Sequence, residues 1–423
     1  MASRRREGRG SRLQWRSWSW VCLVLEVLLV VEGVKAAVGV WMDDGQGRTI
    51  LADQLDSEEA AGLARDILDV LDLPTPPENH INGRHHHVPR PHHAHGSAPT
   101  WLKAIYDTID ERGHATSAQM DATHRETVSA ADTIITFVSR DPPGVRRLHG
   151  ANKRLYFDVR DVPLDHSLLV AELRIHRAPR VPEPLILHVY MTTDDEGGEK
   201  EVARARLEGP GWESINITAS ALSWLLFPDT NHGLRLAVTS PHRRHERRFH
   251  EVGISGAKDE EEFRPFMVGF FALPDSAYHK RKRLRTTRSV PSAPPPRSRT
   301  RSYRDIANRD IDSNTWCRLK HLHVSFRDLG WENWVIAPEG YDANYCEGRC
   351  VFPLHAKMNA TNHALVQTLV KSMEGVPADQ ELPPNACCAP IDLATIPVLY
   401  YSYENNIVLK KYPKMIVKSC GCL

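Results

Sequence analysis

The chain has 423 residues, with 54 Lys or Arg against 53 Asp or Glu, so its formal net charge is +1. A total so balanced gives no polyanion signature to the chain as a whole, and nothing here points to a nucleic-acid binder. No apolar stretch reaches the ~20 residues that a bilayer-spanning helix needs, which argues against membrane insertion.

Residues 1–36 read as an export signal. Arg4, Arg5, Arg6, Arg9, Arg12 and Arg16 form a basic start, Val21 to Val31 an apolar run, and Val34-Lys-Ala36 a small-residue cleavage site. Glu26 within the apolar run and the long basic start leave an uncleaved signal anchor as the alternative. The route is secretory, a compartment where disulfides form and persist. Cys22 leaves with the signal.

Residues 37–288 read as a folded pro-domain of α+β type, mostly β behind a leading amphipathic helix. Asp56 with Glu59 fits a capping box, and Leu63, Ala64, Ile67, Leu68 and Leu71 recur at helical spacing until Pro74. A Pro- and His-rich stretch follows (His85, His86, His87, His92, His93 and His95), read as a solvated loop and not as metal ligands. Leu168 to Ile175, Leu185 to Tyr190 and Phe266 to Leu273 are strand-like, and Asn216-Ile-Thr218 is a glycosylation acceptor.

Between Asp275 and Asp305 no residue is acidic, and the Arg, Lys and Pro content predicts an exposed, extended linker. The region 280–304 carries Arg285-Thr-Thr-Arg288 and Arg301-Ser-Tyr-Arg304, both R-x-x-R patterns of the kind proprotein convertases cut, with Lys280-Arg-Lys-Arg283 as a third, weaker candidate. Cleavage after Arg288 or Arg304 is expected. Arg244-His-Glu-Arg247 has the same pattern without the setting. A product beginning at Ser289 keeps Arg297, Arg299, Arg301 and Arg304 in an arm suited to a polyanion such as heparan sulfate.

Seven of the eight cysteines lie in the last quarter: Cys317, Cys346, Cys350, Cys387, Cys388, Cys420 and Cys422. Cys346-Glu-Gly-Arg-Cys350 and Cys420-Gly-Cys422 can be joined by two disulfides into a ring that a third disulfide passes through beside Gly348. Each bridge closing so long a loop stabilises by roughly 4 kcal/mol on the chain-entropy estimate. Six cysteines allow 15 connectivities, and an odd seventh suggests an intermolecular bond. Zinc is disfavoured because paired C-x-x-C knuckles are missing. Around the cysteines, Leu322, Val324 and Phe326 alternate as a half-buried strand, and Val398–Tyr403 with Ile407–Tyr412 form a hairpin. Leu365, Val366, Leu369, Val370 and Met373 make an apolar helix stripe that asks for a second subunit. Asn359-Ala-Thr361, a second glycosylation acceptor, stands at that helix's start.

The segments Val324-Ser-Phe-Arg-Asp-Leu-Gly-Trp331, Trp334-Val-Ile-Ala-Pro-Glu-Gly-Tyr341, Cys346-Glu-Gly-Arg-Cys350, Met358-Asn-Ala-Thr-Asn-His363 and Cys420-Gly-Cys422 resemble the transforming growth factor-β superfamily. Within it they resemble the bone morphogenetic protein branch, in the group of osteogenic proteins and glass bottom boat. Ala64-Arg-Asp-Ile-Leu68 and Pro265-Phe-Met-Val-Gly-Phe-Phe271 extend the likeness to the pro-region. The resemblance implies a mature part at 289–423 whose cystine knot, 317–423, is small and β-rich, with two β-fingers and one wrist helix. It implies Cys317–Cys388, Cys346–Cys420 and Cys350–Cys422 pairs, with Cys387 bonded to a second subunit in a homodimer or heterodimer. It implies that a helix from about Asn359 to Met373 packs into the partner subunit. Type I receptor kinases would sit at Trp331 and Trp334, and type II receptor kinases at Ala337, Leu399 and Leu409. The propeptide and extracellular antagonists are further implied partners, and no cofactor is expected. Two features depart from the pattern: a longer segment from Glu374 to Asn385, and Pro397 in a finger strand.

Two rival functions are a secreted enzyme, which fails on residues, and a secreted antagonist, which stays the alternative. His245-Glu-Arg-Arg-Phe-His250 places its histidines five apart, which on a helix turns them away from one zinc, and Gly253-Ile-Ser-Gly256 breaks the G-x-S-x-G pattern. A secreted cystine-knot antagonist is the stronger rival, opposed by the long pro-domain, the cleavage patterns and the terminal Cys-Gly-Cys-Leu423.

Overall fold

The computed structural model describes residues 39–43, 49–54, 68, 96–116, 120–140, 153–160, 162, 165–193, 198–241, 243–273, 316–354, 356–372, 383–402 and 406–423. The chain divides into two compact units, residues 1–75 and 76–423. The first holds the antiparallel pair β1 (Gly39–Asp43) and β2 (Thr49–Gln54). The expected leading helix lies outside the described residues except for Leu68, which is helical and buried. The His-rich stretch and the cleavage region 280–304 lie outside them as well.

The second unit begins with helices α1 (Ser97–Tyr106) and α2 (Ala122–Ala130). Asp121 starts α2, its carboxylate accepting from the His124 N–H at 2.8 Å in the manner of an N-cap. Strands β3 (Thr133–Val138), β4 (Arg154–Leu155), β5 (Ser167–Arg177), β6 (Leu185–Thr192), β7 (Glu199–Leu207) and β8 (Gly211–Asn216) follow. Helix α3 (Thr218–Leu226) leads to β9 (Leu234–Ser240) and β10 (Arg243–Arg247). A short α4 (Phe249–Val252) and β11 (Phe266–Ala272) close this region. Arg244 to Arg247 are held in β10, paired to β9, so this R-x-x-R is not presented as the free extended segment a protease needs.

After the linker come β12 (Arg318–Lys320), β13 (His323–Ser325), β14 (Val335–Ala337), β15 (Gly340–Asp342), β16 (Tyr345–Glu347), α5 (Asn362–Ser372), β17 (Cys388–Tyr401) and β18 (Ile407–Cys422). β17 and β18 form the long hairpin, reaching far beyond the apolar runs that announce it. β13 is shorter than the alternation suggests. Leu322 is exposed and lies outside the strand, its carbonyl accepting from the Asn344 N–H and its N–H donating to the Asn344 side-chain oxygen.

One seven-stranded sheet, in the order β14-β17-β18-β3-β11-β5-β8, crosses from the C-terminal domain into the region before the linker. The join is β18 against β3, antiparallel, with Leu409 opposite Ile134 and Val408 opposite Ile135. β3 reads Thr-Ile-Ile-Thr-Phe-Val, mostly β-branched, and is buried as the strand between β18 and β11. A second, five-stranded sheet runs β10-β9-β6-β7 with β4 on β9. The apolar faces of β5, β6 and β9, with Trp224 of α3, supply fully buried Leu173, Leu187 and Leu236.

Candidate functional site

In the C-terminal domain Cys346 bonds Cys420, Cys350 bonds Cys422, and Cys317 bonds Cys388, with Cα–Cα separations of 5.7, 5.8 and 5.4 Å. Gly348 makes the crossing feasible. Its φ is +123°, and a Cβ there would stand 2.2 Å from the Trp316 carbonyl oxygen and 2.7 Å from the Cys317 nitrogen. The sulfurs of Cys317, Cys350 and Cys422 lie close enough together to resemble a metal cluster, but each is spent in a disulfide.

Cys387 is free and exposed. Its backbone is tied to the C-terminus by two hydrogen bonds, Cys387 N–H to the Leu423 carbonyl and Leu423 N–H to the Cys387 carbonyl, each 2.9 Å. The thiol is therefore presented from a fixed backbone beside the knot. Helix α5 is started by Thr361, whose hydroxyl accepts from the Ala364 N–H at 3.2 Å, and it buries only Ala364 and Thr368. Leu365, Val366, Leu369 and Val370 are exposed, an apolar face that no other described residue buries. Both acceptor asparagines, Asn216 and Asn359, are exposed, and the Asn359 amide also donates to the Cys420 carbonyl at 3.1 Å.

The structure treats the five residues of the implied receptor seats unequally. Trp331 is half-buried, stacked 5.8 Å from Phe326. Trp334 is only 5% exposed, with its ring 5.7 Å from Tyr400 and 5.6 Å from Trp331. This corrects the reading of Trp334 as an exposed anchor: in this chain its contacts make it core. Trp334→Ala should lower the stability of the domain by about 3–5 kcal/mol. Thermal unfolding measures that loss, and an unchanged midpoint would return Trp334 to the surface.

Ala337, Leu399 and Leu409 are not exposed either. They share one apolar cluster with Leu102 and Ile105 of α1, Val128 of α2, and Val268 and Phe270 of β11. The region before the linker thus lies over this finger face. A groove of about 280 Å³ remains along its edge, between Pro99 and Lys103 of α1, Asp107 just after it, and Ile336 and Leu399.

Polar contacts fasten the same cover. Thr395, at a bulge in β17, donates its N–H to the Glu111 carbonyl at 2.9 Å, and the Glu111 carboxylate meets Lys418 at 2.7 Å. The Lys411 N–H donates to the Asp132 carbonyl, so Lys411 faces away from Pro397, its partner across the hairpin. Pro397 therefore directs its missing donor toward the side where β14 has already ended, an edge position that tolerates proline.

The Lys411 ammonium enters the cover and donates to the carbonyls of Val128 at 2.6 Å and Ser129 at 3.3 Å, in the last turn of α2. Burial lowers its pKa to about 8, against the opposing pull of Asp132 and Asp110. A lysine whose pKa falls on burial sheds a proton only between that value and its ordinary one near 10.4. Its contribution should stay flat from pH 5 to 7 and favour association as pH rises from about 8 to 10. Dissociation of the cleaved halves followed against pH checks this, with Lys411→Met expected to abolish the alkaline increment.

The sequence family described as "Transforming growth factor beta like domain" matches residues 316–422, and "TGF-beta propeptide" matches residues 44–270. The chain belongs to the transforming growth factor-β family. Among similar proteins are Protein 60A of Drosophila melanogaster, 33% identical over 437 residues and covering 91% of both chains, and Bone morphogenetic protein 8A of Mus musculus, 33% identical over 395 residues, covering 87% of this chain and 92% of the relative. Protein DVR-1 homolog of Strongylocentrotus purpuratus is 34% identical over 342 residues, covering 76% of this chain and 72% of the relative. The likeness is that of a bone morphogenetic protein-type precursor, with a propeptide and a cystine-knot growth-factor domain. Growth factors of this family are signalling ligands and not enzymes. Among the described residues no helix is long and apolar enough to cross a membrane.

The cover over Ala337, Leu399 and Leu409 is thus propeptide on growth factor. Sequence reasoning missed Lys411, Thr395 and Glu111 as its fasteners. The signal available was Lys410-Lys411 inside the otherwise apolar run Ile407 to Tyr412, a pattern with no partner visible in sequence.

Proposed function

We propose that the protein is exported, cut by a proprotein convertase after Arg288 or Arg304, and released as a disulfide-linked dimer. The dimer brings type I and type II receptor serine/threonine kinases together so that one phosphorylates the other. The observation that carries this reading is the burial of Ala337, Leu399 and Leu409 beneath the propeptide. Large apolar patches are seldom left bare on a monomeric protein unless they bind something. A face that is apolar, belongs to the growth factor and is covered by a removable segment is suited to a later partner. Trp331, half-buried between Phe326 and Trp334, stays the aromatic contact for a type I receptor.

The exposed α5 face and Cys387 supply the two elements of a two-fold dimer, an apolar seam and a covalent clasp. Cys387→Ser should remove the covalent dimer from non-reducing gels while the three knot disulfides remain. A covalent dimer that persists would reassign the clasp. Cleavage at Arg288 keeps the arm with Arg297, Arg299, Arg301 and Arg304, which favours retention on heparan sulfate.

The test of the whole reading is to add convertase-cleaved, propeptide-stripped protein to cells bearing these receptors. Phosphorylation of the type I receptor is the expected result. Suppression of signalling by other ligands, with no activity of its own, would favour the antagonist reading instead.

A further inference from the structure

The glycosylation acceptor Asn359-Ala-Thr361 is clamped, residue against residue, to the last cysteines of the knot. The Asn359 side-chain amide donates to the Cys420 carbonyl at 3.1 Å. The Asn359 carbonyl oxygen lies against Gly421, where an added Cβ would stand 2.6 Å from it. The Thr361 N–H donates to the Cys422 carbonyl at 3.1 Å. Ala360, between them, packs against the buried cluster that holds Cys317, Cys350, Cys420 and Cys422. The tripeptide is not extended at either end. Asn359 has a left-handed φ of +44°, and the Thr361 hydroxyl accepts from the Ala364 N–H at 3.2 Å, at the start of α5.

Covalent bonds at the far end of the chain hold this clamp shut. Cys346 bonds Cys420 and Cys350 bonds Cys422, and both partners lie within the final four residues to be synthesised. Before those residues are made and oxidised, the acceptor has no clamp.

We propose that Asn359 takes an N-linked glycan only before the two ring disulfides close, so that knot oxidation sets the fraction of chains modified there. The transferring enzyme reads the asparagine amide and the threonine hydroxyl together, in a peptide drawn away from the fold. Nδ2 attacks the anomeric C1 of a lipid pyrophosphate-linked oligosaccharide. The Nδ2–C1 bond forms, the C1–O bond breaks with its electron pair leaving on the pyrophosphate, and Nδ2 gives up one proton. In the closed knot Nδ2 is turned to the Cys420 carbonyl and the hydroxyl to Ala364, so neither reaches an enzyme unless the clamp is undone. The one hydrogen left on a modified Nδ2 still serves the Cys420 carbonyl. A chain modified early therefore closes the same knot.

Asn216-Ile-Thr218 is the contrast within the same chain. Its hydroxyl is also taken, with Thr218 Oγ1 accepting from the Ala171 N–H at 3.0 Å. The propeptide around it, residues 37–288, contains no cysteine, so closure of that acceptor is indifferent to thiol chemistry.

The inference rests on the export proposed above, and one experiment separates the two. The full chain is expressed in secreting cells, and occupancy at both asparagines is read by mass spectrometry of peptides deglycosylated in heavy-oxygen water. Cell extract is used, so that chains which fail to fold are counted. A brief pulse of dithiothreitol during synthesis should cut the unmodified fraction at Asn359 at least twofold and leave Asn216 unchanged. Cys420→Ser combined with Cys422→Ser should do the same without reductant. Full occupancy of Asn359 in untreated cells would overturn the proposal, and so would occupancy that neither treatment moves. An equal rise at Asn216 would overturn it too, because the effect would then not come from the knot. Glycan at Asn216 establishes export whatever happens at Asn359, whereas a chain bare at both sites would contradict export and this proposal together.

Discussion

Gly348→Ala should abolish secretion of correctly disulfide-bonded protein. A methyl group at this position would meet backbone, the Trp316 carbonyl at 2.2 Å and the Cys317 nitrogen at 2.7 Å, and no flexible side chain is there to yield. The backbone angle of +123° is itself outside what an L side chain readily adopts. Both effects act where Cys317 passes to reach Cys388. The growth-factor domain owes its centre to these bridges, and loss of a native disulfide from a small secreted domain commonly costs about 2–5 kcal/mol or prevents folding. Secreted yield and a non-reducing peptide map of the knot report the outcome. Normal yield with all three bridges formed would show that the ring is wider than the structure makes it. Gly330→Ala is the matched comparison, because that glycine also has a positive φ but nothing within 4 Å of its added carbon.

Leu102→Ala should loosen the propeptide from the growth factor after cleavage. Leu102 is 0% exposed, on the face of α1 that meets Leu399 and Leu409. Truncating a buried leucine to alanine costs about 2–5 kcal/mol, through lost apolar burial and the cavity left behind. At 1.4 kcal/mol per tenfold, the dissociation constant should rise about 30-fold or more. Lys103→Ala, one residue along and exposed at the side chain, should leave it unchanged. Surface-immobilised growth factor with free propeptide measures both constants. Equal affinities for the two variants would place the binding energy elsewhere, with the polar fasteners Glu111 and Lys411 next in line.

What could be read from the amino acids divides along the distance between interacting residues. Local patterns are legible: strands near Leu168 to Ile175 and Leu185 to Tyr190 follow from apolar alternation, and the wrist helix follows from the stripe Leu365, Leu369, Val366 and Val370. The extent of β17 is not, because Pro390 and Pro397 with Asp392 read as strand breakers, and only the register shifts along the hairpin absorb them. β3 escapes for a different reason. Thr133 to Val138 is a short β-branched run whose flanking partners, β18 and β11, lie more than a hundred residues away in sequence. Trp334 is the sharpest case. Its spacing to Trp331 fits a surface pair as well as a core one, and Tyr400 decides the matter from 66 positions on. The cover on Ala337, Leu399 and Leu409 belongs to the same class, since it depends on helices that precede the linker.

On the proposed function, the propeptide hides a receptor-facing surface which cleavage and release then expose. The direct measurement is the affinity of an immobilised type II receptor ectodomain for the intact precursor and for the stripped growth-factor dimer, prepared from the same chain. The stripped dimer should bind, and the precursor should bind at least a hundredfold more weakly. Equal affinity of the two would contradict it, because Ala337, Leu399 and Leu409 are 9%, 1% and 0% exposed while the propeptide is in place.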